Sequence, residues 1–520
     1  MKLFATIYKI KLQDSSLPHT EIWQKMVKDI IKKNKNSYKA ISGRQFFAID
    51  LSTCTRSENS SDLLNYKAIS CEFLTDHQCS NFISFQGGNL FTDSSDYSRL
   101  SNNILYSRYS KYTQWIREIS QISLTQHLSL IDEFVSNLNA AGWATELADP
   151  QDVQKKQFLF RNAKGSYLES FPKTKTLLRS PLIFPPEWEL RIVCPEADFS
   201  NWRKAFVNVL QSLFPSGGTR LRNILPGAFG NLSTSNRVFG ILVIGEDEDL
   251  EKGNFRNELL ELELSGAKFR LVRKETLLNK WAIENIAFDL FLNAGGVPWI
   301  VENLRFDESQ YIALDAGHQV AKKKSRWASV RYDASNNDVR GYWQDKVLGE
   351  HLDIDLYNKL ISLIDGERKV TIYRDGRFLR ERSLVEGMNK KQNSSIYEVS
   401  KYPKVILYRG DSENCKPTFF GDVYQLPGGD SLVQTQSPNV NEYRGPLKVV
   451  RIGEMGLDLE SVDEFLGLCV MPMLSLNNRP RLPAPIYWAD LISKLDTTKW
   501  AKAVGRGFKL PAPDVDPIDL

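Results

Sequence analysis

The last third of the chain carries an ordered series of apolar runs punctuated by acids, and this order constrains the fold more than any other feature. Tyr311–Leu314 is a strand-like run ending at Asp315. Arg326–Tyr332 and Val339–Val347 read as two further strands, and Ile354–Ile364 as a helix stopped by Gly366. Lys369–Tyr373 is a fourth strand, ending at Arg374-Asp375-Gly376. Three strands, a helix and a fourth strand, with an acid closing the first and the fourth, place Asp315 and Asp375 side by side if both strands are central.

Upstream, the pattern is βαβ from Glu189 onward. Glu189–Cys194, Val238–Ile244 and Lys268–Arg273 read as strands, Phe199–Leu213 and Phe255–Leu264 as helices. A long helix, Glu275–Asn293, stops at Gly295-Gly296, since glycine tolerates the left-handed cap. The first hundred residues form a separate α+β pattern, with strands at Lys2–Leu12 and Arg44–Leu51 and a basic amphipathic helix at Glu21–Lys33. Asp93–Ser110 reads as a loop, Tyr112–Ile119 and Leu128–Ala141 as helices, and the proline-rich Phe171–Pro186 as a linker. A length of 520 residues suits three or four such domains. Lys+Arg 67 against Asp+Glu 63 leaves a net charge of +4, which excludes a polycation or an acidic disordered chain but not a local basic channel. No apolar run is long enough to span a membrane, and six cysteines without a CxxC pair point to a reducing compartment, the cytoplasm.

The acids suggest chemistry. Two-metal phosphodiester hydrolysis needs several carboxylates converging on cations, and magnesium takes oxygen ligands without His or Cys. Besides Asp315 and Asp375, Glu350 follows Gly349 in a loop, and Asp490 follows Pro483-Ala484-Pro485-Ile486-Tyr487-Trp488-Ala489, read as the start of a helix running towards Lys494. Read singly, Asp315 and Asp375 are also turn or capping residues, Glu350 a helix-entry acid and Asp490 a first-turn acid favoured by the helix dipole. His318 reads as structural or as a neighbour of the site.

Ala313-Leu314-Asp315-Ala316-Gly317-His318, Gly349-Glu350, Ile372-Tyr373-Arg374-Asp375-Gly376-Arg377, the Pro483–Asp490 segment and Gly295-Gly296-Val297-Pro298-Trp299 together resemble the Argonaute proteins, of the prokaryotic kind. The resemblance covers about residues 190–520, and about 185 residues before it leave little room for a PAZ domain. It implies a multidomain α/β fold: an α+β N-terminal domain at 1–110, a linker region at 111–187, a doubly wound MID domain at 188–300 and a ribonuclease H-like PIWI domain at 301–520. It further implies a guide-directed endonuclease with the catalytic tetrad Asp315, Glu350, Asp375 and Asp490. Asp315, Asp375 and Asp490 would hold Mg²⁺ or Mn²⁺, and the partners would be a short guide and a complementary DNA or RNA target, in defence against foreign nucleic acid.

The family's guide-end lysines are replaced by Asp289 and Asn293, so Arg256, Lys268, Arg270 and Asn293 are the candidates for the guide's 5′ end. An Asp289 without a compensating cation would favour a 5′-hydroxyl guide. Lys323, Lys324, Arg377, Arg409 and Arg444 are candidates for backbone phosphates, against the alternative of a solvated basic face. A reading of another class, a guide-loaded protein that recruits or activates a separate effector, stands beside the nuclease.

Overall fold

The computed structural model describes residues 2–11, 17–34, 38–41, 46–57, 60–74, 82–92, 104–105, 123–153, 156–170, 174–185, 188–215, 223–228, 238–244, 268–302, 309–319, 324–333, 338–347, 368–378, 394–410, 415–426, 429–436, 445–452, 459–471 and 481–493. The helices expected at Tyr112–Ile119, Phe255–Leu264 and Ile354–Ile364 lie outside them. The chain forms two compact units, Met1–Lys155 with Ser400–Val450, and Lys156–Val399 with Arg451–Leu520. Residues 400–450, read from the sequence as part of the 301–520 segment, thus pack with the N-terminal residues. No helix among the described residues is long and apolar enough to cross a membrane.

In the first unit an antiparallel sheet runs in the order Tyr38–Ile41, Phe46–Asp50, Ser60–Phe73, Phe82–Thr92, Ile7–Ile10, Thr145–Leu147. Helices His19–Asn34 and Leu124–Ala140 supply Trp23, Met26, Ile30, Phe134 and Leu138 to a core shared with Phe85. Ser123 and Gln126 close a reciprocal capping box that starts the second helix. The strand expected over Lys2–Leu12 is instead two strands, Lys2–Ala5 and Ile7–Ile10, in two different sheets. The break falls at Thr6, whose hydroxyl donates to the Phe85 carbonyl at 2.6 Å and accepts the Ile406 N–H at 2.9 Å. Lys2–Ala5 pairs with Leu407–Gly410.

The second unit holds two sheets of functional interest. The first contains β1 (Glu189–Val193), β2 (Asn223–Pro226), β3 (Val238–Ile244) and β4 (Lys268–Arg273), all parallel, in the order β2-β1-β3-β4. Near-continuous apolar runs such as Val238–Ile244 suit parallel strands, which are covered on both faces. Helix α1 (Glu196–Leu213) links β1 to β2 and packs on α2 (Lys280–Asn293). The single helix expected over Glu275–Asn293 is broken: a 3-10 turn at Lys274–Leu278 precedes α2, because the Asn279 side chain accepts the Ala282 N–H and caps a new helix. The expected glycine stop is present. Gly295 adopts φ +88°, and a β-carbon on Gly296 would lie 2.5 Å from the Phe291 ring. In the segment read as linker, the hairpin Phe158–Asn162/Gly165–Glu169 and the helix Thr174–Leu178 are packed, with Leu177 and Leu178 buried.

The second sheet contains β5 (Ser309–Gln319), β6 (Lys324–Asp333), β7 (Asp338–Val347), β8 (Lys369–Asp375) and β9 (Ser394–Ser400). Its order is β7-β6-β5-β8-β9, antiparallel through β7, β6 and β5 and parallel from β5 through β8 to β9. That is the ribonuclease H-like arrangement, with β5 and β8 as central neighbours. Two helices, α3 (Leu459–Cys469) and α4 (Ala484–Ser493), supply side chains to one face. On the opposite face Ile312, Leu314, Trp327, Val370, Ile372 and Ile396 form a continuous core.

Candidate metal centre

Strand alternation decides which face each acid occupies. The parallel register pairs Ala313 with Tyr373 and Leu314 with Arg374, so the next step sets Asp315 beside Asp375 on the face of Tyr311, Ala313 and Tyr373. Asp315 was expected to end its strand. It lies in the middle of β5, because Ala316, Gly317 and His318 continue the ladder opposite Trp327, Arg326 and Ser325. Asp375 does end β8, and Gly376 turns the chain with φ +95°.

Helix α4 brings the third acid. Asp490 was expected at the start of a helix, but α4 begins at Ala484, so Asp490 stands near its C-terminal end and is no first-turn acid. Proline is tolerated in a first helical turn, which is why Pro485 does not delay the start. The helix sits directly on the sheet because glycines lie beneath it. A β-carbon on Gly317 would lie 2.0 Å from the Ser493 carbonyl oxygen, and one on Gly341 2.7 Å from Ile492 Cδ1. Trp488 meets the Tyr332 ring edge-on at 5.8 Å. Together these contacts set a carboxylate oxygen from each of Asp315, Asp375 and Asp490 within 4.8 Å of the others.

Asp315 is buried, and the other two acids are half-buried. At that separation each pair of carboxylates repels by roughly 3.5 kcal/mol at an effective dielectric constant near 20. A divalent cation relieves this repulsion. An all-oxygen donor set of this kind fits a hard divalent cation. Ser493, which the sequence reading missed, donates its hydroxyl to Asp315 Oδ2. Its spacing of three residues from Asp490 on one helix face was the available signal.

Under the site the same face is floored by a row of tyrosines, Tyr332, Tyr311, Tyr373 and Tyr397, with centroid separations of 6.1, 6.5 and 5.6 Å. Burial pushes the phenols of Tyr311, Tyr332 and Tyr373 well above their ordinary range, so they add no negative charge to the acids. His318 alternates to the other face, where Nδ1 lies 2.8 Å from Ser325 Oγ. Arg374 stacks on Trp327 there, 4.3 Å from the ring centre.

Glu350, Arg256, Lys323 and Arg444 lie outside the described residues, as do the side chains of Lys268, Asn293 and Lys324. Arg377 is exposed, two residues past Asp375. Arg409, in the other unit, is held by Asp422, with Nε 2.7 Å from Oδ2, and stacks on Phe419. Arg270 pairs with Asp289 between β4 and α2, and both are buried. The uncompensated Asp289 expected from the sequence is therefore corrected: its charge is met by Arg270, and the argument it gave for a 5′-hydroxyl guide falls away.

No family model matches the chain, and no curated protein matches it in sequence. Solved structures do match. The Argonaute of Clostridium butyricum, bound to a guide DNA and a 19-mer target DNA, superposes with a TM-score of 0.66 at 13% identity, over 96% of this chain and 88% of that one. The Argonaute of Marinitoga piezophila, in complex with a 5′-OH guide RNA, gives 0.63 at 13% identity, over 93% and 86%. The Kluyveromyces polysporus protein with a guide RNA gives 0.60 at 11% identity, over 95% and 80%. A mixed α/β multidomain chain that superposes on these proteins along nearly its whole length has the Argonaute fold.

Proposed function

We propose that this protein is a guide-directed endonuclease that cuts a target strand paired to a short nucleic acid guide. The observation that carries the reading is the convergence of Asp315, Asp375 and Asp490 oxygens within 4.8 Å, on two central strands and one helix. Asp315, Asp375 and Asp490 would hold Mg²⁺ or Mn²⁺, and Glu350, after Gly349, would complete the set. When bound, such ions supply Lewis-acid polarisation of the scissile phosphate and a nucleophile from water at neutral pH. The chain's own part is to fix three carboxylates on rigid elements before substrate arrives. The guide and target described for the neighbouring structures support a nucleic acid duplex as the substrate. In the parallel sheet the strand order reverses between β1 and β3, and the crevice beyond their carboxyl ends is where open α/β sheets bind ligands. That crevice is the proposed seat of the guide's end, within a MID segment at 188–300 and ahead of a PIWI segment at 301–520. Action on foreign nucleic acid in the cytoplasm completes the proposal.

The test is cleavage of a guide-paired target by the full chain in Mn²⁺, with Asp315→Ala and Asp375→Ala beside it. Chelation and either substitution should abolish cutting while guide binding stays near wild type. Cutting that survives both single substitutions would remove the metal centre from the mechanism. Guide and target binding without any wild-type cutting would favour the effector-recruiting reading instead.

A further inference from the structure

Ser493 closes the last turn of α4 and is 1% exposed. Its hydroxyl donates to Oδ2 of Asp315 and lies 3.2 Å from the main-chain carbonyl oxygen of Asp490. One buried hydroxyl therefore ties the strand acid to the helix that carries another. The contact is a consequence of the glycine seat, since Gly317 is what allows the Ser493 backbone to lie against β5.

An aspartate carboxylate turns about a broad terminal torsion and is poorly fixed by its own rotamer preference. Beside two like charges it gains by turning away from them, which would spread the three oxygens that a cation needs close together. A neutral hydroxyl donor opposes that rotation without neutralising the charge. Carboxylate acceptors make shorter and stronger hydrogen bonds than carbonyls, so Asp315 outcompetes the Asp490 carbonyl for the single hydroxyl proton. Outer partners that orient metal-ligating carboxylates typically govern metal affinity by about 10–100-fold.

We infer that Ser493 is a positioning residue for the metal centre: its hydroxyl sets the rotation of Asp315 and locks the seat of α4 to it, and so determines the affinity for the divalent cation. The inference rests on the reading of the three acids as metal ligands. Calorimetric titration with Mn²⁺ tests it, using the full chain as wild type, Ser493→Ala and Ile492→Val, each also melted with and without Mn²⁺. Ile492, fully buried over Gly341, serves as the packing control. Ser493→Ala should bind Mn²⁺ about tenfold or more weakly and lose most of the metal-dependent rise in Tm. Ile492→Val should lower Tm equally with and without metal and keep the wild-type Mn²⁺ affinity. An affinity of Ser493→Ala within about fivefold of wild type overturns the inference, as does an equal loss in both variants, which would make Ser493 a packing residue. A wild-type chain that binds no Mn²⁺ overturns the metal reading itself, and shows it before any variant is compared.

Discussion

Replacing Gly317 with alanine tests how the metal centre is assembled, because the perturbation falls on a residue with no chemistry of its own. The added β-carbon would lie 2.0 Å from the Ser493 carbonyl oxygen and 2.6 Å from its carbonyl carbon. Real β-carbons stay at 3.0 Å or beyond, and the obstacle here is backbone, which no rotamer change removes. The end of α4 must therefore retreat by about 1 Å, carrying Asp490 away from Asp315 and Asp375. Misplacement on that scale costs on the order of 100-fold in rate, and overpacking costs about 1–3 kcal/mol of stability. The assay is single-turnover cleavage of a guide-paired target in Mn²⁺, with guide affinity measured alongside. Gly317→Ala should cut about 100-fold more slowly at unchanged guide affinity. Gly341→Ala should fall between it and wild type, because its β-carbon meets only the flexible tip of Ile492. Gly88→Ala, where a β-carbon meets nothing within 4 Å, should match wild type. Cutting by Gly317→Ala within about threefold of wild type would refute the seat of α4 as the device that places Asp490.

The buried Arg270–Asp289 pair predicts an asymmetric double-mutant cycle. Asp289→Ala removes the carboxylate that Arg270 faces in the core and should cost about 3–5 kcal/mol by urea unfolding, whereas Arg270→Met with Asp289→Leu should recover most of it; a single-variant loss below about 1 kcal/mol would contradict a buried pair. His127 donates from Nδ1 to the Gly87 carbonyl, and burial pushes its imidazole below the ordinary 6.5, outweighing the raising effect of that bond. A depressed folded value means that the unfolded chain takes up the proton first, so this contribution is complete above pH 6.5 and is lost as pH falls below it. Melting at several pH values from about 5 to 7.5 should give a shallower acid loss for His127→Asn than for wild type, and equal slopes would count against it.

How much of this was legible in the sequence depended on how local the cause was. Val238–Ile244 and the strand beginning at Lys369 could be read directly, because parallel strands covered on both faces write continuous apolar runs. Gly295 announced its stop because a left-handed cap is a property of one residue. The extension of β5 past Asp315 was hidden, since Ala316-Gly317-His318 is neither apolar nor periodic and owes its extension to pairing with Ser325–Trp327. Asp490 was correctly put on a helix and wrongly put at its start. The helix begins six residues earlier, at Ala484, because proline is tolerated in a first turn and Pro485 does not delay the start. Asn279 carried a cap signal that the apolar periodicity of the following residues overrode. Arg270 and Asp289 were each legible as charges, but their pairing depends on which way a strand and a helix face each other, and no local pattern encodes that. Ser493 was visible as a neighbour of Asp490 by helical spacing, yet its acceptor lies 178 residues away.

The hydrogen bonds between Thr6 and Ile406, and the pairing of Lys2–Ala5 with Leu407–Gly410, have a consequence for biosynthesis. Translation runs at roughly 5–20 residues per second, so Lys2–Ala5 waits on the order of 20–80 s for its partner to leave the ribosome. Throughout that interval one side of Lys2–Ala5 is an unsatisfied template, and such edges recruit strands from other chains. The whole of residues 156–399, including β5 and β8, is made while the edge stands open. The strand Lys2–Ala5 is thus completed only after residues 156–399 have been made, and no fragment that stops before residue 407 completes it at all.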